Sequence, residues 1–380
     1  MIDRKLIPGN LVRDVSSEPQ QGQAYLITAS GMGTKAIATM RSKDAKKNSI
    51  AGTTSVSSMG VTFTQRALST ATLNLGVNAH KLVSVASSTF LYFNGDKEEI
   101  LASDLITKIP LYEYAKRIGY AVEERPTQTE EEARKERRRA KSALDAAVRE
   151  INKSLESLYA GTLTWKEKVK GKQKDYLNVP IIGTHGIKDG YICIAFDPVY
   201  ASYLTAVPET HYASSLLGIP ARQPNAYNIG LKLTEHYCIY ENHTKGTHDR
   251  LSVKSLLAAT DLPSYEEVKK KRKSWIERIK EPFQAALDTL VTGNVISDWH
   301  YVLPGGKEIA DDDREELDKL QDYENWRNIL VRFTLVDPPD LSEQIKTYTE
   351  KKKQASTRKK RIMEKAEVKA EAKKILEEKP

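Results

Sequence analysis

The chain has 380 residues, with 59 Lys and Arg against 51 Asp and Glu, a formal net charge of +8 and a pI near 9.1. Hydrophobic residues make up 39% and charged residues 29%, which suits two or three folded units; no run approaches the roughly 18 apolar residues of a membrane span. Two cysteines, Cys193 and Cys238, exclude a disulfide framework or a zinc ribbon.

The opening MIDRKLIPGN lacks the apolar core of a signal peptide, so a cytoplasmic location is expected. Residues 1–58 are rich in Ser, Thr, Gly, Gln and Lys and read as a flexible arm, with one short strand at Ala24-Tyr25-Leu26-Ile27. A first folded unit covers 59–220. After Asn78, the positions Leu82, Val85, Ala86, Thr89 and Phe93 recur at helical spacing. A strand ends at Ile109. Pro110 opens a helix over 111–118, where its missing N–H costs nothing, and Gly119 closes it. A long helix over 129–158 follows, apolar in its second half at Ala140, Leu144, Ala147, Val148, Ile151, Leu155 and Leu158. The β-rich runs LTWKEKVKGKQKDYLNVPII and YICIAF complete the unit, flanking the turn GTHGIKDG.

The second unit covers 221–340. It starts with a helix from Asn225 to about Asn242, and another spans 252–259. A third begins at Ser264, where Glu267 three residues on makes a capping box. The strands VISDWHYV and NILVRFTLV flank an acidic insertion over 311–324. The tail, 341–380, holds 13 Lys/Arg against 7 Asp/Glu and reads as a basic, solvated helix or arm. Both units therefore run as three helices and a β-hairpin. That is the order of the winged-helix form of the helix-turn-helix, so the expected class is α+β with two tandem winged-helix domains.

A net positive charge points to a polyanionic partner, and nucleic acid is the commonest. Three basic runs are candidates for contact with double-stranded DNA. The first is KKKRK at 269–273. Tyr265, Val268, Trp275, Ile279, Phe283, Ala286 and Leu290 form the buried stripe of its helix, while Lys269, Lys270, Lys273 and Lys280 lie off it. Arg272 interrupts the stripe. The second run is Lys166, Lys168, Lys170, Lys172 and Lys174, which share a strand face if the strand is continuous and would arm the wing. The third is ARKERRRAK, where Arg134, Arg137, Arg138 and Lys141 share a helix face behind Glu130–Glu132. Each has a plain alternative: a solvated face, lysines guarding an edge strand, or a helix paired with its own acids.

LTEHYCIYENHTKGTHDR (233–250) gathers three histidines, a cysteine and two tyrosines. A rolling-circle nickase holds its metal with a His-hydrophobic-His pair. None of the seven histidines has another two positions away. Cys238 lies about 200° round a helix from His236, so four convergent zinc ligands are not offered. Ala226, Ile229, Gly230, Leu233, Tyr237 and Tyr240 instead make an apolar stripe. SGMGTKA (30–36) does not place a glycine directly before its lysine, as a phosphate loop requires. Asp311–Asp313 are adjacent acids in a charged loop, the usual form of a solvated cluster. No catalytic residue, metal site or cofactor is expected.

IPLYEYAKRIGY, the basic helix ending ALDAAVREINKSL, and GYICIAFDPVYASYL resemble the first winged helix of the iteron-binding plasmid replication initiators. NAYNIGLKLTEHYCIYENHT with RLSVKSLLAATDL is similar to the entry to that family's second domain, and WIERIKEPFQAALDTL to its final helix. The resemblance spans roughly 60–300. It implies a non-enzymatic initiator whose winged helices bind repeated origin sequences and help open the duplex. It further implies recruitment of host helicase-loading factors, dimerisation through the first domain and repression of its own promoter. The recognition role then falls on Lys269, Lys270, Arg272, Lys273 and Arg278. A winged-helix transcriptional regulator and a nicking initiator using Tyr240 are the alternatives.

Overall fold

Alternating Thr, Ser and Val residues favour extended backbone because β-branched side chains pack well on a pleated surface. They do so here in a segment whose composition reads as an arm. The computed structural model describes residues 25–29, 46–50, 53–58, 61–66, 76–94, 100–169, 171–207, 209–309, 320–336, 338–342, 345–346 and 349–350. The SGMGTKA run, Lys170, Asp311–Asp313 and 351–380 lie outside these residues. Strands β1 (Tyr25–Ala29), β2 (Lys46–Ile50), β3 (Thr53–Ser58) and β4 (Val61–Arg66) come first. The expectation of an arm over 1–58 is corrected to this extent: β2, β3 and β4 form one antiparallel run of a larger sheet.

Helix α1 (Val77–Asn94), β5 (Ile106–Pro110), α2 (Leu111–Arg117) and α3 (Glu130–Tyr159) follow. Thr129 caps α3, its hydroxyl accepting from Glu132 N–H while the Glu132 carboxylate accepts from Thr129 N–H. Strands β6 (Gly161–Val169), β7 (Lys172–Pro180), β8 (Ile182–Lys188) and β9 (Tyr191–Phe196) complete the unit. Two sheets result. One is five-stranded in the order β2-β3-β4-β6-β7; the other is three-stranded in the order β5-β9-β8. Asp189 and Gly190, both at positive φ, make the β8–β9 turn.

Helix α4 (Pro198–Ala206) leads to β10 (Glu209–Ala213), which pairs antiparallel with β1. After a 3₁₀ turn at Ser214–Gly218 come α5 (Pro224–Tyr237), α6 (Tyr240–Lys245), β11 (Arg250–Ser252), α7 (Val253–Leu257) and α8 (Tyr265–Lys270). A π-helical turn (Ile276–Lys280) runs into α9 (Glu281–Thr292). Strand β12 (Ile296–Val302), α10 (Tyr323–Asn328) and β13 (Leu330–Leu335) end the unit, in a sheet of order β11-β13-β12. Both three-stranded sheets thus place the last strand of the hairpin between its partner and a short strand that precedes the hairpin.

Two expected helices are broken. The helix expected over 225–242 ends at Tyr237, and Ile239 is extended before α6 begins. The Asn242 side chain donates at 2.9 Å to the His236 carbonyl, which Ile239 N–H also reaches at 3.3 Å, a local polar alternative to the helical bond. The helix expected from Ser264 onward stops after Lys270 and restarts past Ser274.

The core is in two clusters. Leu82, Ile151, Trp165, Ile194 and Tyr203 centre the first; Leu233, Phe283, Leu287, Trp326 and Val331 centre the second. Helix α1 stands between them and is buried on nearly every side, not on the single stripe its spacing predicts. Lys81 is fully buried, and its ammonium donates to the Leu217 and Ile219 carbonyls at 2.6 and 2.5 Å. Beside it, burial holds His80 down at about 4. The ring is therefore neutral, and its Nδ1 is hydrogen-bonded to the Tyr227 hydroxyl at 2.6 Å.

Candidate nucleic-acid interface

The basic run at 269–273 covers the last two residues of α8 and the turn that follows it, not the flank of a continuous helix. Lys269 and Lys273 would stand one helical turn apart, and like charges at that spacing oppose the helix. The Arg272 N–H reaches Lys269 O at 3.0 Å and Lys273 N–H reaches Val268 O at 3.1 Å, closing the end of α8. Arg272 itself adopts φ +50°. This left-handed backbone normally falls to glycine and costs a side-chain-bearing residue about 1 kcal/mol. Ser274 then accepts from Glu277 N–H at 3.4 Å and restarts the helix. The interrupted stripe is thereby resolved: the break resets the phase, Val268, Ile279 and Phe283 are buried, and Arg272 is exposed. Lys269, Lys270, Lys271, Arg272 and Lys273 are all exposed, as is Arg278, and none makes an ion pair among the described residues.

Strain at an exposed charged residue gives a test with two opposite signs. Arg272→Gly removes the left-handed penalty and is expected to raise stability by about 0.5–1 kcal/mol in urea unfolding. The same change is expected to weaken DNA binding severalfold. Loss of stability would show that Arg272 is held by contacts rather than strained.

Lys280 does not belong with this group. Its ammonium donates to the Leu320 carbonyl at 3.0 Å and lies 6.0 Å from the Trp275 ring centroid. Burial pushes it below the ordinary lysine range. Its long stem lets it leave the exposed side that spacing assigns to it.

On α3, Arg134 and Arg137 both reach Glu130, at 3.3 and 3.2 Å. Arg139 is bonded to Glu136 at 2.6 Å and to the Ala121 and Glu123 carbonyls. The acids before the run therefore take up part of it, the plainer of the two sequence readings. Arg138 and Lys141 are exposed and make no ion pair among the described residues.

The lysine hairpin is corrected in two respects. Strands β6 and β7 lie in the five-stranded sheet, so this hairpin is not the one that closes the β5-β9-β8 sheet. A two-residue turn at 170–171, with Gly171 at φ +83°, pairs Val169 with Lys172 and Lys166 with Asp175. Side chains alternate along each strand, so Lys172 and Lys174 lie on the face opposite Lys166 and Asp175. One charged face becomes two. Lys166 is bonded to Asp175 at 3.1 Å. Lys168 is placed only by its register with Gln173, and Lys170 lies outside the described residues. Further down, Trp165 stacks on Tyr176 at 4.3 Å and anchors the hairpin to Tyr203 of α4.

The histidine-rich stretch is packed into α5, α6 and the loop that follows. His236 Nε2 bonds the Thr247 carbonyl at 2.8 Å, and its Nδ1 meets the Asn242 amide at 3.1 Å. His243 Nε2 bonds the Tyr237 carbonyl at 2.6 Å. The rings of His243 and His248 stack 4.1 Å apart, with Tyr237 edge-on to both. Burial raises the Cys238 thiol to about 11, so it stays protonated. Among the described residues no group of His, Cys, Asp and Glu is disposed to hold a metal ion, and no helix is long and apolar enough to cross a membrane.

Sequence reasoning passed over Lys271, whose exposure needed the helix break to be seen. It also passed over the buried Lys81, for which a lysine in an apolar stripe was the available signal. No protein-family model matches the chain, and no curated protein matches it significantly.

Proposed function

We propose that the protein is a sequence-specific double-stranded DNA-binding initiator of plasmid or mobile-element replication, built on two winged helices and acting without bond cleavage. The observation that carries this reading is the exposed run Lys269–Lys273 at the end of α8. Its five cations, without ion-pair partners among the described residues, stand before a helix whose other face is core. Such a run supplies phosphate neutralisation where a helix meets a groove. Support for the winged-helix assignment comes from the strand orders β5-β9-β8 and β11-β13-β12, which repeat one plan in both units. Arg138 and Lys141 on α3 supply a second basic surface in the first unit. Tandem units would read direct repeats in the origin, and host helicase-loading proteins and a second copy of the chain are the protein partners this reading entails. The compartment is the cytoplasm, where Cys193 and Cys238 stay reduced.

Nuclease footprinting on the replicon's own origin tests the proposal. Protection of direct repeats is the expected result, and equal affinity for every sequence would overturn it. A transcriptional regulator using the same domains would footprint but fail to maintain a plasmid carrying the origin. A nicking initiator would relax supercoiled DNA with Mg²⁺ or Mn²⁺ and lose that activity in Tyr240→Phe.

A further inference from the structure

Among the described residues strand β5 pairs with β9 alone, so it stands at the edge of its sheet. Edge strands carry a row of unpaired N–H and C=O groups, and proteins commonly blunt them with charge, proline or a covering element. Here Lys108 is the one charge, Pro110 stands only at the far end, and no main-chain bond outside the ladder reaches Ile106–Lys108 among the described residues. Beside this strand lies a cavity of about 390 Å³, to which Phe90 and Phe93 of α1 add apolar wall. Ile106, Thr107 and Lys108 all line it. Side chains alternate along a strand, so three consecutive lining residues set the cavity against the edge of β5 and not against one face.

The apolar surface continues past the cavity. Tyr92, Leu101 and Ile106 are each more than half exposed. The Tyr92 ring stands edge-on to Phe93 at 5.5 Å, and Leu101 opens the 3₁₀ turn (Ala102–Leu105) whose Ser103 and Asp104 line the cavity. Contiguous exposed apolar surface of this kind marks interaction sites. The Asp104 carboxylate accepts from Leu101 N–H at 2.9 Å, whereas Lys108 makes no ion pair among the described residues.

We propose that the β5 edge binds an extended segment of another protein, which pairs with β5 as an added strand. One of its apolar side chains enters the cavity beside Phe93 and Ile106, and a carboxylate two positions away meets Lys108. The spacing follows from Ile106 and Lys108, which share one face of β5 two residues apart. Strand addition draws affinity from main-chain bonds and specificity from pockets for alternate side chains; an edge with an apolar cavity beside it supplies both. A second copy of this chain fits the edge less well. Lys108 is the middle residue of β5, so two copies paired antiparallel in full register set one Lys108 against the other, and like charges directly opposite oppose pairing. The inference does not rest on the DNA-binding reading and uses none of the basic residues assigned to it.

Phage displaying random heptapeptides, selected on the full-length protein, provide the probe. Enriched sequences are expected to carry an acidic residue two positions from a large apolar one. An enriched peptide, once synthesised, should slow amide hydrogen exchange at Ile106–Lys108 and leave β7, an edge of the other sheet, unchanged. Successive N–H groups of a strand point to opposite sides, so N-methylating alternate peptide residues tests pairing without any protein variant. One alternate set should lose about tenfold or more in affinity and the other stay within about twofold. Ile106→Glu should weaken binding about tenfold, while Leu177→Glu, at an exposed site on β7, should not change it. Lys108→Gln should erase the preference for the acidic residue over its amide. Selection without enrichment would overturn the proposal, as would exchange protection confined to another strand or equal losses from both methylated sets. Protection of β5 on raising protein concentration without peptide would overturn it too, by giving the edge to a second copy.

Discussion

Replacing Lys269, Lys270 and Lys273 with alanine is expected to lower affinity for origin DNA by about 100-fold near physiological salt. The slope of log K against log salt should fall by about 2.7, since each phosphate contact releases counterions worth about 0.9. All three side chains are exposed, Lys269 and Lys270 in the last turn of α8 and Lys273 just past it, so their removal leaves the core intact. Stability should stay within about 0.5 kcal/mol of the parent. Lys280→Met provides the internal contrast. It leaves the Leu320 carbonyl without its donor, so it should cost about 1 kcal/mol of stability and leave DNA affinity unchanged. An unchanged salt slope in the triple variant would remove this turn from the interface.

The second large effect lies far from DNA. Lys81→Met keeps the apolar stem but leaves the Leu217 and Ile219 carbonyls without a donor in a fully buried site. A loss of about 2–3 kcal/mol is expected at neutral pH. The pH dependence carries the sharper test. Burial lowers Lys81 from 10.5 to about 7, while its two short bonds to carbonyls oppose that shift. Between these values the unfolded chain binds the proton and the folded chain does not, so stability rises with pH. The burden of the buried charge is complete below about 7 and gone above 10.5. Urea unfolding of parent and variant across this window should therefore show the gap widening as pH rises. A gap that narrows would mean that the carbonyls win and hold the ammonium.

What the sequence disclosed and what it concealed divide along physical lines. Helices set by strong local signals were legible: the apolar spacing from Ala140 to Leu158 marks α3, Pro110 and Gly119 bracket α2, and the spacing around Leu82 and Val85 marks α1. Strand alternation in YICIAF was equally plain. What stayed hidden depends on contacts distant along the chain or on parity. Composition makes 46–58 look like an arm, because two of the five strands of the sheet it joins, β6 and β7, lie about a hundred residues on. The single face assigned to the lysine hairpin failed on the length of its turn. A two-residue turn sends Lys166 and Lys174 to opposite faces, and no spacing within one strand reveals that. For KKKRK the charge was visible, but the helix break needed Arg272 to enter a backbone region that sequence patterns seldom assign to arginine. The histidines of 233–250 are the converse case. Their residue types suggest chemistry, while their bonds run to neighbouring carbonyls.

The pairing of β1 with β10 sets an order on synthesis. Tyr25 finds its partner only at Ala213, so β1 must wait for nearly two hundred residues to emerge. At translation rates of about 5–20 residues per second, that wait is roughly 10–40 seconds. Residues 76–206 hold most of the first core and can collapse during that interval. The earliest of the described strands thus pairs only after β2 through β9 have all emerged.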